Sequence, residues 1–492
     1  MTEPSEKEVV VAWQRQMRSR MALTTEQGEP VEIIYPGRRN NGQGADYQDA
    51  VITTGGRLKK GDIEVHVRSR DWISHRHHLD PAYNRVVLHV VWWHDNGVRT
   101  SLCNGNMVPV LVLNANQEAM VKSWPAVLKP STMFTPCAGG ISGMTVEMLA
   151  GFLDRAGDER FLTKVAEFQM ELAQISASQV LYRGIMGALG YSRNKVPCLE
   201  LADRLPLATL ESVAFGAASD EECTIRLQAL LIGMAGLLPS QRVGSSGHDR
   251  LTHRYIRRLE RLWSSYRNGR EMSSDMWHLS CTRPHNSPLR RLAAMSYLIT
   301  RYRREGLLAG LWGHYVENVT SHRGWRRMEK GLVVDTDSYR GCHFNFGAAS
   351  PTALGEGRAA DIMVNVLLPF SYARGQSGGK PELVTAALGA YREHPRLADN
   401  ALLKHMRSQL RIGRPVASSA RRQQGLLHIY RRLCTQGLCE LCPLVSTVKD
   451  SSPGAVLREL EVGNDVHVEA VSFARPELEV AAGGNHGGVI GA

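Results

Sequence analysis

The sequence predicts an α+β protein, with a small N-terminal α/β sheet domain followed by a large, mostly helical body. Two patterns predict it. Up to about residue 113 the apolar residues alternate or run in short blocks between glycine-rich turns, as in strands. From about residue 143 they recur every three or four positions, as in helices. The length, 492 residues, exceeds what one core can organise and agrees with several domains.

Taken in order, residues 6–21 set Val9, Val10, Trp13 and Met17 at helical spacing. Residues 31–35 form a short apolar strand, closed by the turn-rich stretch 36–44. Residues 50–54 and 62–67 flank Gly55, Gly56, Lys59, Lys60 and Gly61, the pattern of a hairpin. Residues 80–84 suit a helical turn, and 85–93 is a nearly continuous apolar run, as expected of a central strand covered on both faces. A further strand follows at 108–113. Amphipathic helices are expected over 144–153, 161–181, 207–217, 221–238, 251–266, 288–305, 359–372, 381–391, 400–411 and 417–434. Beyond residue 450 come a strand-like 462–473 and a glycine-rich tail, 483–491, expected to be disordered. These shifts divide the chain into a sheet domain (1–125), an arginine-rich helical domain (140–330), a helical region ending in cysteines (335–450) and an extension (451–492).

Composition narrows the class. Hydrophobic content of 43% and charged content of 22% are globular values and argue against general disorder. The first eight residues are polar and acidic, unlike a signal peptide, and the longest apolar stretch, 229–238, is broken by Gly233 and Gly236. The expectation is a soluble, cytoplasmic protein with no membrane partner. Nine cysteines, six of them scattered singly, suit reduced thiols better than a disulfide framework. The net charge of +11 is concentrated in residues 250–305, where thirteen arginines face four carboxylates. Guanidinium groups fit phosphate bidentately, so nucleic acid is the expected partner, against the plainer reading of a solvated helix face.

The chemistry centres on Gly61-Asp62-Ile63-Glu64-Val65-His66-Val67. Side chains alternate along a strand, so Asp62, Glu64 and His66 share one face while Ile63, Val65 and Val67 share the other. Three ionisable groups on one face are either solvated or gathered around a cation. Upstream, Gly44-Ala45-Asp46 brings another carboxylate to the entry of the preceding strand. Asp46 and Glu64 are the expected ligands for Mg²⁺ or Mn²⁺, with His66 or Asp62 positioning a water. This arrangement resembles the PD-(D/E)xK phosphodiesterase core, which runs helix, three strands, helix, strand. The resemblance implies a nuclease-like sheet and a divalent-metal-dependent phosphodiesterase acting on nucleic acid. The chain departs from the pattern: Ala45 stands where the proline belongs, and the motif lysine is absent. Either Glu64 with His66 or Asp62 with Glu64 fills the second half of the motif.

Six of the 18 histidines lie close together in sequence: His66, His75, His77, His78, His89 and His94. Arg68, Arg70, His75 and His78, just after the acidic strand, are candidate phosphate contacts, as are Arg283, Arg290 and Arg291 in the helical body. His89, inside an apolar strand, reads as a hydrogen-bonded core residue. Two rivals stand beside the nuclease reading. One is a zinc hydrolase using the histidines and Asp80; the other is a non-catalytic nucleic-acid-binding protein on the same fold.

A longer resemblance runs through Gly44-Ala45-Asp46-Tyr47, Gly61 to His66, Asp71-Trp72, His75, His78, Asp80-Pro81-Ala82-Tyr83-Asn84 and Val87-Leu88-His89-Val90-Val91. It continues through Arg283-Pro284, Arg291-Leu292-Ala293 and Met363-Val364-Asn365-Val366-Leu367-Leu368-Pro369, and ends at Cys439-Glu440-Leu441-Cys442. On these motifs the chain resembles the bacterial domain of unknown function 2851 family over residues 5–445, a resemblance that carries no activity with it.

Cys434, Cys439 and Cys442 are spaced to grip one metal centre from a tight turn. A fourth ligand would come from His428, Cys281 or Cys342. Zinc is the first choice. An iron–sulfur cluster is the second, since some PD-(D/E)xK repair nucleases join three C-terminal cysteines to one distant cysteine. Reduced thiols are the plain alternative. Three other motifs fail. The run from Gly375 to Lys380 lacks phosphate-loop spacing, Gly140-Ile141-Ser142-Gly143 is no nucleophile elbow, and no dinucleotide fingerprint follows a strand.

Overall fold

A computed structural model describes residues 3–17, 22–40, 42–95, 97–113, 137, 141, 144–242, 250–267, 269–279, 287–318, 325–335 and 352–446. Arg283, Cys281, Cys342 and the segments 462–473 and 483–491 lie outside them. Contacts gather Met1–Ser446 into one compact unit.

The first helix, Glu6–Gln16, starts on a capping box between Ser5 and Glu8 and buries Val9, Val10 and Trp13. The strands that follow are β1 (Leu23–Thr24), β2 (Pro30–Tyr35), β3 (Arg38–Arg39), β4 (Tyr47–Thr54), β5 (Arg57–Arg68), β6 (Val86–Trp93), β7 (Thr100–Ser101), β8 (Met107–Val108) and β9 (Val110–Val112). The main sheet has the order β1-β2-β4-β5-β6-β9, with β3 paired to β4. Its first half, β2-β4-β5, is antiparallel, whereas β6 runs parallel to β5 and β9 parallel to β6. The expected central strand is therefore real: β6 pairs with β5 on one edge and β9 on the other, and most of its side chains are buried.

The hairpin is longer than its glycines suggested. Gly55 and Gly56 alone make the turn, at φ 54° and 74°, and Lys59, Lys60 and Gly61 belong to β5. Gly61 is needed for a different reason, close approach: a Cβ there would sit 2.2 Å from the Arg85 carbonyl and 2.5 Å from Val87 Cγ1. On one face of β5, Ile63 and Val65 pack with Val9 and Trp13 of the first helix. On the other, Asp62, Glu64 and His66 are 5%, 5% and 1% exposed. That face is covered by the crossover to β6, a single helical turn (Asp71–Ser74) and two 3-10 turns (His77–Leu79 and Pro81–Tyr83).

In the helical body, the segments expected at 144–153 and 161–181 form one long helix, Val146–Leu172, followed by a second, Ala177–Leu189. Gly157 does not break the long helix, because the Ala420–Arg432 helix crosses it backbone to backbone. A Cβ on Gly157 would lie 2.2 Å from the Arg421 carbonyl, and one on Gly425 would lie 2.2 Å from that of Leu153. Asp158 with Arg421, and Asp154 with Arg422 at 3.1 Å, pin the crossing. The helices Lys195–Arg204 and Trp325–Leu332 were not anticipated. The 359–372 pattern is interrupted by a π turn, Met363–Leu367. The stretch Asp220–Gln241 is long and apolar enough to cross a membrane, by length and composition, and 83% of its apolar window is buried inside the protein.

Gly425→Val is expected to force the two crossing helices apart and to cost about 1–3 kcal/mol, the usual penalty for overpacking. Denaturant unfolding would measure it, and an unchanged midpoint would show that the crossing is not tight.

Candidate functional site

The covered face of β5 holds the predicted acidic and histidine residues, and the crossover adds more. Glu64 Oε1 lies 3.4 Å from His66 Nε2 and 3.5 Å from His77 Nε2. His75 Nδ1 stands 3.3 Å from His66 Nε2. The ligand nitrogens of His66, His75 and His77 all lie within 4.8 Å of one another. Their convergence depends on Arg76, which takes a left-handed φ of 62° and turns the chain between His75 and His77. The cluster has a buried side and an open one: His66 and His77 are enclosed, and His75 is exposed.

A second layer fixes the first. His66 Nδ1 lies 3.0 Å from His89 Nε2, and His89 Nδ1 lies 2.8 Å from Thr100 Oγ1. With Thr100 accepting from His89 and His89 accepting from His66, the lone pair of His66 Nε2 faces Glu64 and His75. His77 stacks on Tyr83 with ring centroids 3.8 Å apart. Trp72 packs edge-on to His77, its indole N–H donating to the Ser101 carbonyl at 2.8 Å.

Asp46 meets Glu64 across the β4–β5 pairing. Its backbone N–H donates to Glu64 Oε2 at 2.9 Å, while its own Oδ2 accepts from Val65 N–H at 3.2 Å. Asp62 is drawn elsewhere. It accepts from the Asp49 N–H at 3.0 Å and lies 3.6 Å from Arg85, which also bonds Asp49. Tyr430 donates to Asp49 at 2.8 Å, so Asp62 belongs to a polar tie between the sheet and the Ala420–Arg432 helix.

Electrostatics follow from burial. Loss of hydration, then the neighbouring Asp46 carboxylate, push Glu64 up to about 9. Burial raises Asp46 to about 6, helped by Glu6. Burial pulls His66 down to about 2, His89 to about 3 and His77 to about 4, and in each case other imidazoles add to the effect. At neutral pH the buried centre is therefore a neutral glutamic acid among neutral imidazoles. Their lone pairs are donors of the kind a cation needs, and binding one would expel the Glu64 proton.

The remaining candidates separate. Arg70 is exposed beside the crossover. Arg68 is held by Glu3 at 2.7 Å and by Asp95 at 3.6 Å, over the Trp93 ring. His78 is half-buried, its Nδ1 enclosed without a partner among the described residues. Arg290 and Arg291, expected to grip a nucleic-acid backbone, are each 5% exposed within the helical body, where a polymer strand does not reach them. Exposed arginines of the same segment include Arg254, Arg257, Arg258 and Arg261 on the Arg250–Ser264 helix.

The three C-terminal cysteines acquire a companion the sequence did not suggest. Gln409 Nε2 lies 3.4 Å from Cys137 Sγ and 3.6 Å from Cys434 Sγ, and Cys137, Cys434 and Cys442 share one buried cluster. Burial, with Cys137 next in effect, raises the thiol pKa of both Cys434 and Cys439. His428, one expected fourth ligand, pairs with Glu159 at 3.3 Å. Cys137 escaped notice because 297 residues separate it from Cys434 and it carries no local motif. Among the described residues no three cysteine sulfurs lie within 4.8 Å of one another, so the single-ion site expected of Cys434, Cys439 and Cys442 is not assembled here; Gln409 stands between Cys434 and Cys137 instead.

The chain belongs to the family described as "Protein of unknown function (DUF2851)", whose model matches residues 6–400. No curated protein and no solved structure matches it. The matched span holds the β5 cluster and Cys137, and stops short of the other three cysteines.

The pH dependence of stability isolates Glu64. The histidines, lowered in the folded state, add stability as pH rises to about 6.5 and nothing beyond it. Glu64, raised from 4.5 to about 9, makes the metal-free chain less stable as pH climbs through that interval, because the unfolded chain releases its proton first. In chelator, the wild type should lose thermal stability relative to Glu64→Gln as pH rises from 6.5 to 9, the groups common to both, buried Lys164 and the buried cysteines among them, cancelling in the difference. The same decline in the variant would contradict the assignment.

Proposed function

We propose that this member of the DUF2851 family is a metal-dependent hydrolase of nucleic-acid phosphodiesters, with its ion held by Glu64, His66, His75 and His77. One observation carries the reading: three imidazole nitrogens within 4.8 Å of one another beside a buried glutamate. The donor set fits a transition ion, zinc or manganese, better than magnesium, because imidazole suits softer ions than carboxylate oxygen does. Element order supports the nuclease-like reading, since a helix, three strands, a helical turn and a further strand follow one another as in the resemblance to the PD-(D/E)xK core.

A bound divalent ion supplies Lewis acidity toward a phosphoryl oxygen and lowers the pKa of water at the site. The chain's own residues do the rest. His89 and Thr100 hold His66 in one tautomer and orientation. Asp46, at about 6, accepts a proton near neutrality. Exposed His75 marks the side from which a substrate arrives, and Arg70 stands beside it for phosphate contact. The exposed arginines of the Arg250–Ser264 helix add attraction for a phosphate backbone that weakens with salt.

The test is cleavage of a fluorescent oligonucleotide by metal-stripped chain resupplied with Mn²⁺ or Zn²⁺. Glu64→Gln should abolish cleavage, Asp46→Asn should slow it about 100-fold, and His89→Phe should weaken ion affinity by about 10–100-fold. Salt-sensitive binding without cleavage in any ion would favour the non-catalytic alternative, and full activity in Glu64→Gln would end the proposal.

A further inference from the structure

The helical body encloses a second group of charges that the proposed reaction does not use. Arg290 and Arg291 lie in the first turn of the Pro288–Arg301 helix, each 5% exposed. Arg358, from the Glu356–Ile362 helix, has a side chain 9% exposed. Arg358 and Arg291 address the same aromatic ring, with guanidinium carbons 3.0 Å and 5.8 Å from the Tyr191 centroid. Lys164, from the Val146–Leu172 helix, donates to Asn365 Oδ1, and Asn365 Nδ2 donates to the Asp361 carbonyl at 2.8 Å. Asp361 accepts from Arg358 at 3.1 Å, and its carboxylate is influenced by Arg358, Lys164 and Arg291 together.

Among the described residues these charges do not balance. Asp361 answers Arg358, Lys164 and Arg291, and Glu167 also acts on Lys164. Arg160 and Lys195 crowd Lys164 with further positive charge, and Arg290 stands beside Arg291. A guanidinium cannot escape by losing its proton at ordinary pH, so burial without a counter-charge is costly. Nor are all the donors used: Arg290 Nη1 and Arg358 Nε and Nη2 are enclosed with no hydrogen-bond acceptor among the described residues. Native proteins rarely leave such atoms unpaired, and an unpaired one calls for a partner such as an ion.

Two backbone features point to the same place. Asn365 sits in the π turn Met363–Leu367, and such turns inside helices recur at functional sites. Tyr191 holds a left-handed φ of 57° at the end of its helix and is 42% exposed, so it connects the buried cations with solvent. The Pro288–Arg301 helix starts without a side-chain cap on its first amides, which favours negative charge there.

We propose that Arg290, Arg291, Arg358 and Lys164, closed by Tyr191, form a binding site for the phosphate group of a small ligand. Forked guanidinium donors match tetrahedral oxyanions bidentately, and several cations together suit a dianion. The burial that excludes a nucleic-acid strand admits a compact anion. The site is separate from the β5 cluster and needs no metal.

The probe is orthophosphate added to the full chain in chelator, against chloride at matched ionic strength, with ribose 5-phosphate as a second arm. At a hundredfold excess over Kd, phosphate should raise the melting temperature by about 3 °C, and titration calorimetry should give one site. Tighter binding of ribose 5-phosphate would identify a phosphate ester as the ligand, and tighter binding of orthophosphate would identify the free ion. Arg358→Gln should lose the response, with Arg290→Gln as the second variant should the first not fold, while Glu64→Gln should keep it. No rise beyond chloride would overturn the proposal, as would an equal rise in the arginine variants or a response lost in Glu64→Gln.

Discussion

Strand β5 is buried on both faces, and much of the N-terminal architecture follows from that. One face is apolar and is satisfied by the first helix through Val9 and Trp13. The other carries Asp62, Glu64 and His66, and a polar face can be covered only if its groups are neutralised or paired. Each is handled differently. Asp62 is tied to the Asp49 amide and Arg85, His66 to His89, and Glu64 receives the Asp46 amide with imidazoles on its other oxygen. Desolvation then removes charge from the centre and leaves a preorganised set of lone pairs.

The same logic of close approach joins the far end of the chain to the sheet. Gly157 against Gly425 lets two helices cross at backbone distance, and the Asp154–Asp158 and Arg421–Arg422 pairs fix the crossing. The helix thus placed sends Tyr430 to Asp49, and Gln409 lies between Cys434 and Cys137. Surface ion pairs of this kind contribute little individually, so their effect here is chiefly one of register. Polar groups from residues nearly four hundred positions apart meet because two glycines permit it.

Much of the sheet was legible in the sequence, for a definite reason. Alternation along residues 62–67 reports which side chains share a face, and the apolar run at 85–93 reports a strand enclosed on both sides. The hairpin turn was placed only approximately, because Gly61 serves close approach to Arg85 rather than the turn. Helix limits were less legible: two helices were expected at 144–153 and 161–181 where one runs through Gly157, and only the partner helix shows why that position is small. The arginine-rich segment was readable as charge and unreadable as surface: Arg254 and Arg257 face water, while Arg290 and Arg291 are interior.

By itself, the amino-acid sequence determined the local facts: the α+β order of elements, the shared face of Asp62, Glu64 and His66, and the spacing of Cys434, Cys439 and Cys442. These depend on periods of two and 3.6 residues, which are properties of the backbone and need no neighbours. Tertiary structure alone decided which groups converge. His77 reaches Glu64 and His75 reaches His66 through a left-handed turn at Arg76, Gln409 links Cys137 with Cys434 across the chain, and Arg358 meets Arg291 over Tyr191. Contacts between residues far apart in sequence are set by how elements pack, and no local pattern records them.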